Sequence, residues 1–400
     1  MNIIEGGVTA PKGFMASGTA CGIKKDKKKD LALIASEGTA AASGVFTTNT
    51  VKGHSLQVTL EHIKNGYAQA IVINSGNANA CVGEQGYKDA LEMASLTAQL
   101  LHCEPEDVLV GSTGVIGTQL NMANVRSGIR DAAATLSTDG GHSAEEAIMT
   151  TDLMAKEIAV ELEIQGESVR IGGMAKGSGM LHPNMATLIG IISTDINISR
   201  GLLDKALKDT VKHTFNRVSV DGDTSVCDMV IILANGEADN AGIVKEDAEY
   251  EKFVSALALV CTSLSRMIAK DGEGATKLIE VTLEGAANEE DAYKGVSAIA
   301  KSPLVKTAIY GEDANWGRII TAAGYSGADF DPNLIDIFIG DLMVCRNGAA
   351  VEFDEEKAKK ILKANEVKIK VNLKRGNFSD RIWTCDFSCD YVKINGSYRS

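Results

Sequence analysis

The sequence predicts a mixed α/β fold built in layers, with a smaller α+β portion at the C-terminal end, and three observations carry that prediction. Four short apolar runs, Ala70 to Ile73, Val108 to Val110, Ile189 to Ile192 and Val230 to Leu233, are each followed by small or polar residues able to turn the chain, so they read as strands. Between them lie stripes at helical spacing that need a sheet or another helix to cover them: Leu91 to Leu101, Leu202 to Val211 and Phe253 to Leu264. From about residue 283 the texture changes. The 400 residues are 44% apolar and 23% charged with five prolines, which suits an ordered chain with a large core and about two domains.

Taken in order, the opening MNIIEGGVTAPKGF lacks the basic segment, apolar run and cleavage site of a secretory signal. The basic run Lys24 to Lys29 ends in Asp30 and leads into apolar Leu31 to Ile34, so it reads as a solvated turn before a strand. The strand runs are not regularly followed by crossover-length helices, which argues against a simple doubly wound sheet or barrel. In the C-terminal portion Glu289 to Ala300 reads as a helix, followed by apolar segments at Leu304 to Ile309 and Ile335 to Val344. A charged helix over Asp354 to Lys363 precedes the alternation Val367, Ile369, Val371, Leu373, which reads as a half-buried strand. The expected division is 1–285 and 286–400.

Net charge is −13, so the overall field repels nucleic acid and anionic membrane surfaces, and neither is an expected partner. No run of eighteen apolar residues occurs, so no membrane span is expected. Eight scattered cysteines fit reduced thiols and a cytoplasmic location better than a disulfide framework. The Cys385/Cys389 pair lacks a second close pair or neighbouring histidines, and no metal site is expected.

Phosphate-loop, zinc-helix, EF-hand and nucleophile-elbow motifs are absent. Two glycine-rich segments remain. Gly111-Ser112-Thr113-Gly114-Val115-Ile116-Gly117 follows a strand and is either a structural turn or a turn whose N–H groups face an anion or a developing oxyanion. Lys176-Gly177-Ser178-Gly179-Met180-Leu181-His182-Pro183-Asn184-Met185-Ala186-Thr187 feeds the strand at Ile189. From the residues alone it is either a structural loop with a satisfied histidine, or a site with His182 as base and Ser178 or Thr187 as nucleophile.

The segment KGSGMLHPNMATL resembles the self-cleavage motif of the glutamate N-acetyltransferase (ornithine acetyltransferase) family of arginine biosynthesis. The likeness continues in order through GVTAPKGF (7–14), NSGNANAC (74–81), GSTGVIG (111–117), FNRVSVDGDTS (215–225), AKSPLVKTAI (300–309) and NWGRI (315–319). It implies a four-layer α-β-β-α body, cleavage of the Ala186–Thr187 bond, and an N-terminal Thr187 whose α-amine activates its own hydroxyl. The implied reaction moves acetyl from N2-acetyl-L-ornithine to L-glutamate by a ping-pong route through acetyl-Thr187, and some members also take acetyl-CoA. It implies no cofactor, and a heterotetramer of two N-terminal and two C-terminal fragments.

By the same resemblance Thr113 and Gly114 supply the oxyanion hole, while Thr150, Lys176, Thr187, Glu273, Asn395 and Ser400 contact substrate. Lys176 suits the α-carboxylate common to both substrates and Glu273 the ornithine ammonium. That same carboxylate opposes glutamate's side chain, which water, another pose or another cation must offset. His182 stays outside the catalytic set. The chain departs from the family at the tail Asn395-Gly396-Ser397-Tyr398-Arg399-Ser400, at Lys52-Gly53-His54-Ser55 and at Cys389. Two other functions fit such a chain: an N-terminal-threonine amidohydrolase or aminopeptidase with water as acceptor, and a catalytically silent amino-acid-binding protein.

Overall fold

The long strand β3 organises the chain, and its composition explains how. In the computed structural model, which describes residues 1–181 and 188–397, β1 (Asn2–Ile4) and β2 (Phe14–Thr19) precede β3 (Leu31–Phe46). Small residues fill the middle of β3, so it pairs on one edge with β2 through Leu31–Ser36 and then with a different strand through Ala41–Phe46. Next come α1 (His54–His62), β4 (Tyr67–Asn77), α2 (Glu84–Leu101), β5 (Val108–Val115), α3 (Met122–Ala134) and α4 (Gly141–Ile148). The hairpin β6 (Glu157–Ile164) and β7 (Glu167–Lys176) is followed by β8 (Ile189–Thr194), α5 (Arg200–His213), β9 (Met229–Ala234) and α6 (Ala248–Lys270).

These strands form one sheet in the order β1-β6-β7-β8-β9-β3-β4-β5, with β2 beside β3. Only β4–β5 and β8–β9 are parallel pairs, each joined through a helix; the other pairs are antiparallel. The sheet folds over on itself. Met229 of β9 reaches Gly111 of β5, with two strands between them in sheet order, so closely that a Cβ on Gly111 would lie 2.4 Å from its methyl. Ile34, Ile71, Ile73 and Leu109 from one half share a buried core with Met174, Ile189, Ile191 and Ile231 from the other. The outer face of the first half is covered by α2 and α3, that of the second by α5 and α6. Helices, half-sheet, half-sheet, helices is the expected four-layer body.

A second sheet follows. Its elements are β10 (Leu278–Ala286), α7 (Glu289–Lys301), α8 (Pro303–Tyr310), α9 (Trp316–Gly324), β11 (Asp336–Ile339), β12 (Leu342–Arg346), β13 (Ala349–Ala350), α10 (Glu355–Leu362), β14 (Glu366–Asn372), β15 (Phe378–Cys385) and α11 (Cys389–Ser397). The strand order is β13-β12-β11-β14-β10-β15. This sheet begins at Leu278, upstream of the expected 285/286 division, because Ile279, Val281 and Leu283 belong to its core. On β14 Val367, Ile369 and Val371 are buried while Lys368 and Lys370 are exposed, as the alternation predicts. Helix α6 is long and apolar enough to pass for a membrane span by length and composition. Its Phe253, Leu257, Val260 and Leu264 are fully buried against the body, so its apolarity is that of a core helix.

Candidate active site

The Thr113–Gly114 turn is set by strand register and a chain of hydroxyls. Ser75 pairs with Thr113 and Gly76 with Gly114, and then the register slips at Asn77. Gly114 has φ +130°, and a Cβ there would lie 2.4 Å from the Gly76 carbonyl carbon and 2.6 Å from the Asn77 nitrogen. Only glycine fits, because the clash is with backbone. Behind the turn Asn79 Nδ2 donates to Ser55 Oγ (3.2 Å), and the Ser55 and Ser112 hydroxyls bond at 2.7 Å. Ser112 Oγ in turn donates to Asn74 Oδ1 at 2.6 Å. Asn77 Nδ2 holds Thr118 O at 2.9 Å, and its Oδ1 accepts from Asn79 N at 2.8 Å. The asparagines of NSGNANAC are thus the supports of GSTG, a role the sequence signalled only as an unusual density of asparagine.

The opposite wall carries charge. β7 ends at Lys176, which is 1% exposed and donates from Nζ to Thr150 Oγ1 at 2.7 Å. Asp152 lies 3.8 Å from that ammonium and also pairs with buried Lys156 at 2.7 Å; Lys156 pairs in turn with Asp271 at 2.6 Å. Asp152 further accepts from the Thr150 and Gly177 N–H groups, fixing both neighbours of the cleft. Burial alone would raise its carboxyl, but the Lys176 and Lys156 ammonium groups hold it well below the usual range. Two cations and two carboxylates neutralise one another here. One of the three donors of Lys176 goes to Thr150, which leaves the ammonium competent to meet a ligand carboxylate.

The third wall joins distant segments. Glu273 N donates to Ser178 O at 2.8 Å, and Asn395 Nδ2 from α11 donates to Glu273 Oε2 at 2.8 Å. A Cβ on Gly179 would sit 2.4 Å from the Glu273 carboxyl, so glycine is what lets that carboxylate lie across the loop. The chain entering residue 182 is held by Asp221, whose oxygens accept from Met180 N (2.6 Å) and Leu181 N (2.9 Å). The chain leaving residue 187 is held by Asp228, which accepts from Leu188 N at 3.0 Å. Burial pushes the thiol of nearby Cys227 up, so it stays protonated at neutral pH.

One cleft of about 610 Å³, counting space open to solvent, is lined by Thr113, Gly114, Thr150, Lys176, Glu273 and Asn395, with Ile116, Met180 and Val226 as apolar wall. The six described residues that the resemblance named therefore lie in one place, whereas Ser178 does not line the cleft: it is buried, with its hydroxyl bonded to that of Thr151 at 2.6 Å. Thr187, Ala186, Ser400 and His182 lie outside the described residues. A cation at one wall, a carboxylate at another and an N–H-bearing turn between them can hold an amino acid or its acyl derivative against an oxyanion-stabilising turn.

Fold and cleft together define a layered α/β acyl-transfer enzyme. The ArgJ family model matches residues 15–400. "Arginine biosynthesis bifunctional protein ArgJ" of Caldanaerobacter subterraneus subsp. tengcongensis is 53% identical over 404 residues, covering all of both chains. The protein of the same name from Symbiobacterium thermophilum is 52% identical over 402 residues, again covering all of both. A crystal structure of that protein from Bacillus halodurans is 48% identical with a TM-score of 0.51, covering 52% of this chain and 98% of that one. The chain belongs to the ArgJ family, the glutamate N-acetyltransferase family of arginine biosynthesis that its motifs resemble.

Proposed function

We propose that this acetyltransferase moves acetyl from N2-acetyl-L-ornithine to L-glutamate through acetyl-Thr187. The carrying observation is the convergence of Thr113, Gly114, Thr150, Lys176, Glu273 and Asn395, drawn from the whole length of the chain, on one cleft. Maturation comes first. The Thr187 hydroxyl attacks the Ala186 carbonyl, the peptide C–N bond breaks, and hydrolysis of the ester leaves Thr187 with a free α-amine. In turnover that amine, directly or through water, takes the hydroxyl proton as Oγ1 attacks the acetyl carbonyl. The Gly114 N–H and Thr113 hydroxyl stabilise the tetrahedral oxygen. Ornithine leaves with a proton on its α-amine, and the glutamate amine then takes the acetyl group and restores Thr187.

Lys176 holds the α-carboxylate of either substrate, Glu273 with Asn395 holds the ornithine ammonium, and Ser400 completes the contact set. Acetyl-CoA serves as an additional donor, and two N-terminal and two C-terminal fragments assemble as a heterotetramer. Eight unpaired thiols support a cytoplasmic setting.

Intact mass under denaturing conditions, with N-terminal sequencing, tests the maturation step. The 42.2 kDa chain should yield pieces of about 20 and about 23 kDa beginning at Met1 and Thr187. Thr187→Ala should stay whole, and cleavage at Ala186 in that variant would sink the mechanism. Acetyl transfer with and without glutamate then separates the readings: acetate released at equal rate in both identifies a hydrolase.

A further inference from the structure

The block AKSPLVKTAI has no part in the chemistry above, yet it places a buried cation that no carboxylate pairs with among the described residues. Lys306 of α8 is 1% exposed. Its Nζ donates to Val220 O (2.5 Å) and Thr384 Oγ1 (2.9 Å), lies 3.7 Å from Cys385 Sγ, and sits 4.2 Å from the centroid of Phe387. The nearby Asp221 and Asp386 are engaged elsewhere: Asp221 with Met180 N and Leu181 N, Asp386 with Thr276 and Lys277. Burial lowers the ammonium's affinity for its proton. A buried cation without a counter-ion is a cost, and an apolar chain of the same length would fill the space without it.

The groups it binds explain its retention. Val220 N donates to Leu181 O at 2.8 Å, and the next residue, Asp221, holds Met180 and Leu181, where the described chain enters 182–187. On its other side Phe387 stacks on Tyr391, ring centroids 4.7 Å apart, and Tyr391 lies on α11 four residues before Asn395. Gly274, next to Glu273, has φ +68° and packs so tightly on α11 that a Cβ would meet Tyr391 N at 2.4 Å.

We propose that Lys306 is a positioning residue: one buried ammonium ties α11, which carries Asn395 to the cleft, to the Val220–Asp221 turn that holds the chain entering the cleavage segment. Substrate pocket and processing segment are thereby set by one group that touches neither. The inference rests on the reading of Asn395 and of Ala186–Thr187 given above, and its test is separable from that reading.

The experiment compares wild-type and Lys306→Met full-length protein by hydrogen exchange, thermal unfolding and the time course of self-cleavage. Hydrogen exchange needs no turnover, so it tests the tie even if the acetyl-threonine chemistry fails. The expected result is joint loss of protection in α11 and at Met180–Leu181, and cleavage slowed on the order of 10- to 100-fold. In the cleaved fraction KM for acetylornithine should rise while kcat changes less. If Lys306→Met does not fold, Thr384→Val, which removes one acceptor of the ammonium and leaves the Phe387–Tyr391 stack in place, should loosen the same two segments to a smaller extent. Unchanged protection in either segment, or a lowered Tm with cleavage per folded molecule at the wild-type rate, overturns the proposal.

Discussion

Gly114→Ala asks the most of the site geometry. The added methyl would stand 2.4 Å from the Gly76 carbonyl carbon and 2.6 Å from the Asn77 nitrogen, and both are backbone atoms that no rotamer change can move. The residue must also keep φ +130°, which an L side chain rarely adopts. The strain alone costs on the order of 1–3 kcal/mol of stability. Relief requires the turn to shift, which swings its N–H away from the oxyanion; losing one such donor costs about 3 kcal/mol, or about a hundredfold in rate. Self-cleavage and acetyl transfer both pass through a tetrahedral oxyanion, so both should slow by a similar factor. The assays are the time course of the two fragments by intact mass and kcat/KM for transfer from acetylornithine. Thr113→Val is the matched control: it keeps shape and backbone, removes only the hydroxyl, and should lose rate with little change in Tm. A folded Gly114→Ala enzyme that cleaves and transfers at wild-type rates would refute the placement of the oxyanion at this turn.

Three further outcomes follow from the walls of the cleft. Lys176→Met should raise KM for acetylornithine and glutamate alike by roughly 10- to 150-fold, the loss of one charge-assisted contact to a shared carboxylate, as steady-state kinetics with each substrate varied would show. Glu273→Gln keeps the Asn395 contact but removes the charge, so KM for acetylornithine should rise about tenfold or more while KM for glutamate falls or stays level; an equal rise in both would remove Glu273 from ornithine recognition. Glu145 is fully buried, takes the Lys156 N–H at 2.8 Å, and is pushed by burial from 4.5 up to about 7. The folded state therefore holds its proton between pH 4.5 and 7 where the unfolded state has lost it. Its contribution is fully present below pH 4.5 and is lost as pH rises through 7, by about 3 kcal/mol. Urea unfolding at pH 5 and pH 8 should show Glu145→Gln gaining on wild type by about that amount at the higher pH.

Much of the body was legible because burial and period coincide. Ala70–Ile73, Val108–Val110, Ile189–Ile192 and Val230–Leu233 fall in β4, β5, β8 and β9, and the three stripes fall in α2, α5 and α6. What escaped was built from small or charged residues. Sixteen-residue β3 is recognisable at Leu31–Ile34 and then runs into Ser, Gly, Thr and Ala, where no apolar pattern marks a strand. The β6–β7 hairpin mixes its buried side chains with Glu and Arg, and β7 carries the small Gly172 and Gly173 where the segment between β1 and β2 packs on it: a Cβ on Gly172 would lie 2.0 Å from Gly7 O. The run at Lys24–Lys29 is a turn before β3, as expected. Its organiser is the fully buried Asp30, which accepts from the N–H groups of Cys21, Gly22, Ile23 and Lys24.

The site divides along a different line. The residues proposed to meet ligand were named by the resemblance, and Thr113, Gly114, Thr150, Lys176, Glu273 and Asn395 share a cleft. Residues that hold those groups in place look ordinary in sequence, because their value lies in what the fold puts beside them. In the sequence Asp152 is one aspartate among many; in the fold Lys156 and Lys176 lie on either side of it. Ser55 belongs to the departing segment Lys52-Gly53-His54-Ser55, yet its hydroxyl joins Asn79 to Ser112 and so supports the turn at Thr113–Gly114. Ser55→Ala would remove one partner of the buried Asn79 amide, which keeps Gly86 O, and one of the buried Ser112 hydroxyl, which keeps Asn74 Oδ1, at about 1 kcal/mol for each lost bond. The same change therefore reads as a stability loss in unfolding and as a slower turn in catalysis. That double signature is what separates a support from a proposed ligand contact such as Lys176, whose loss should weigh on KM.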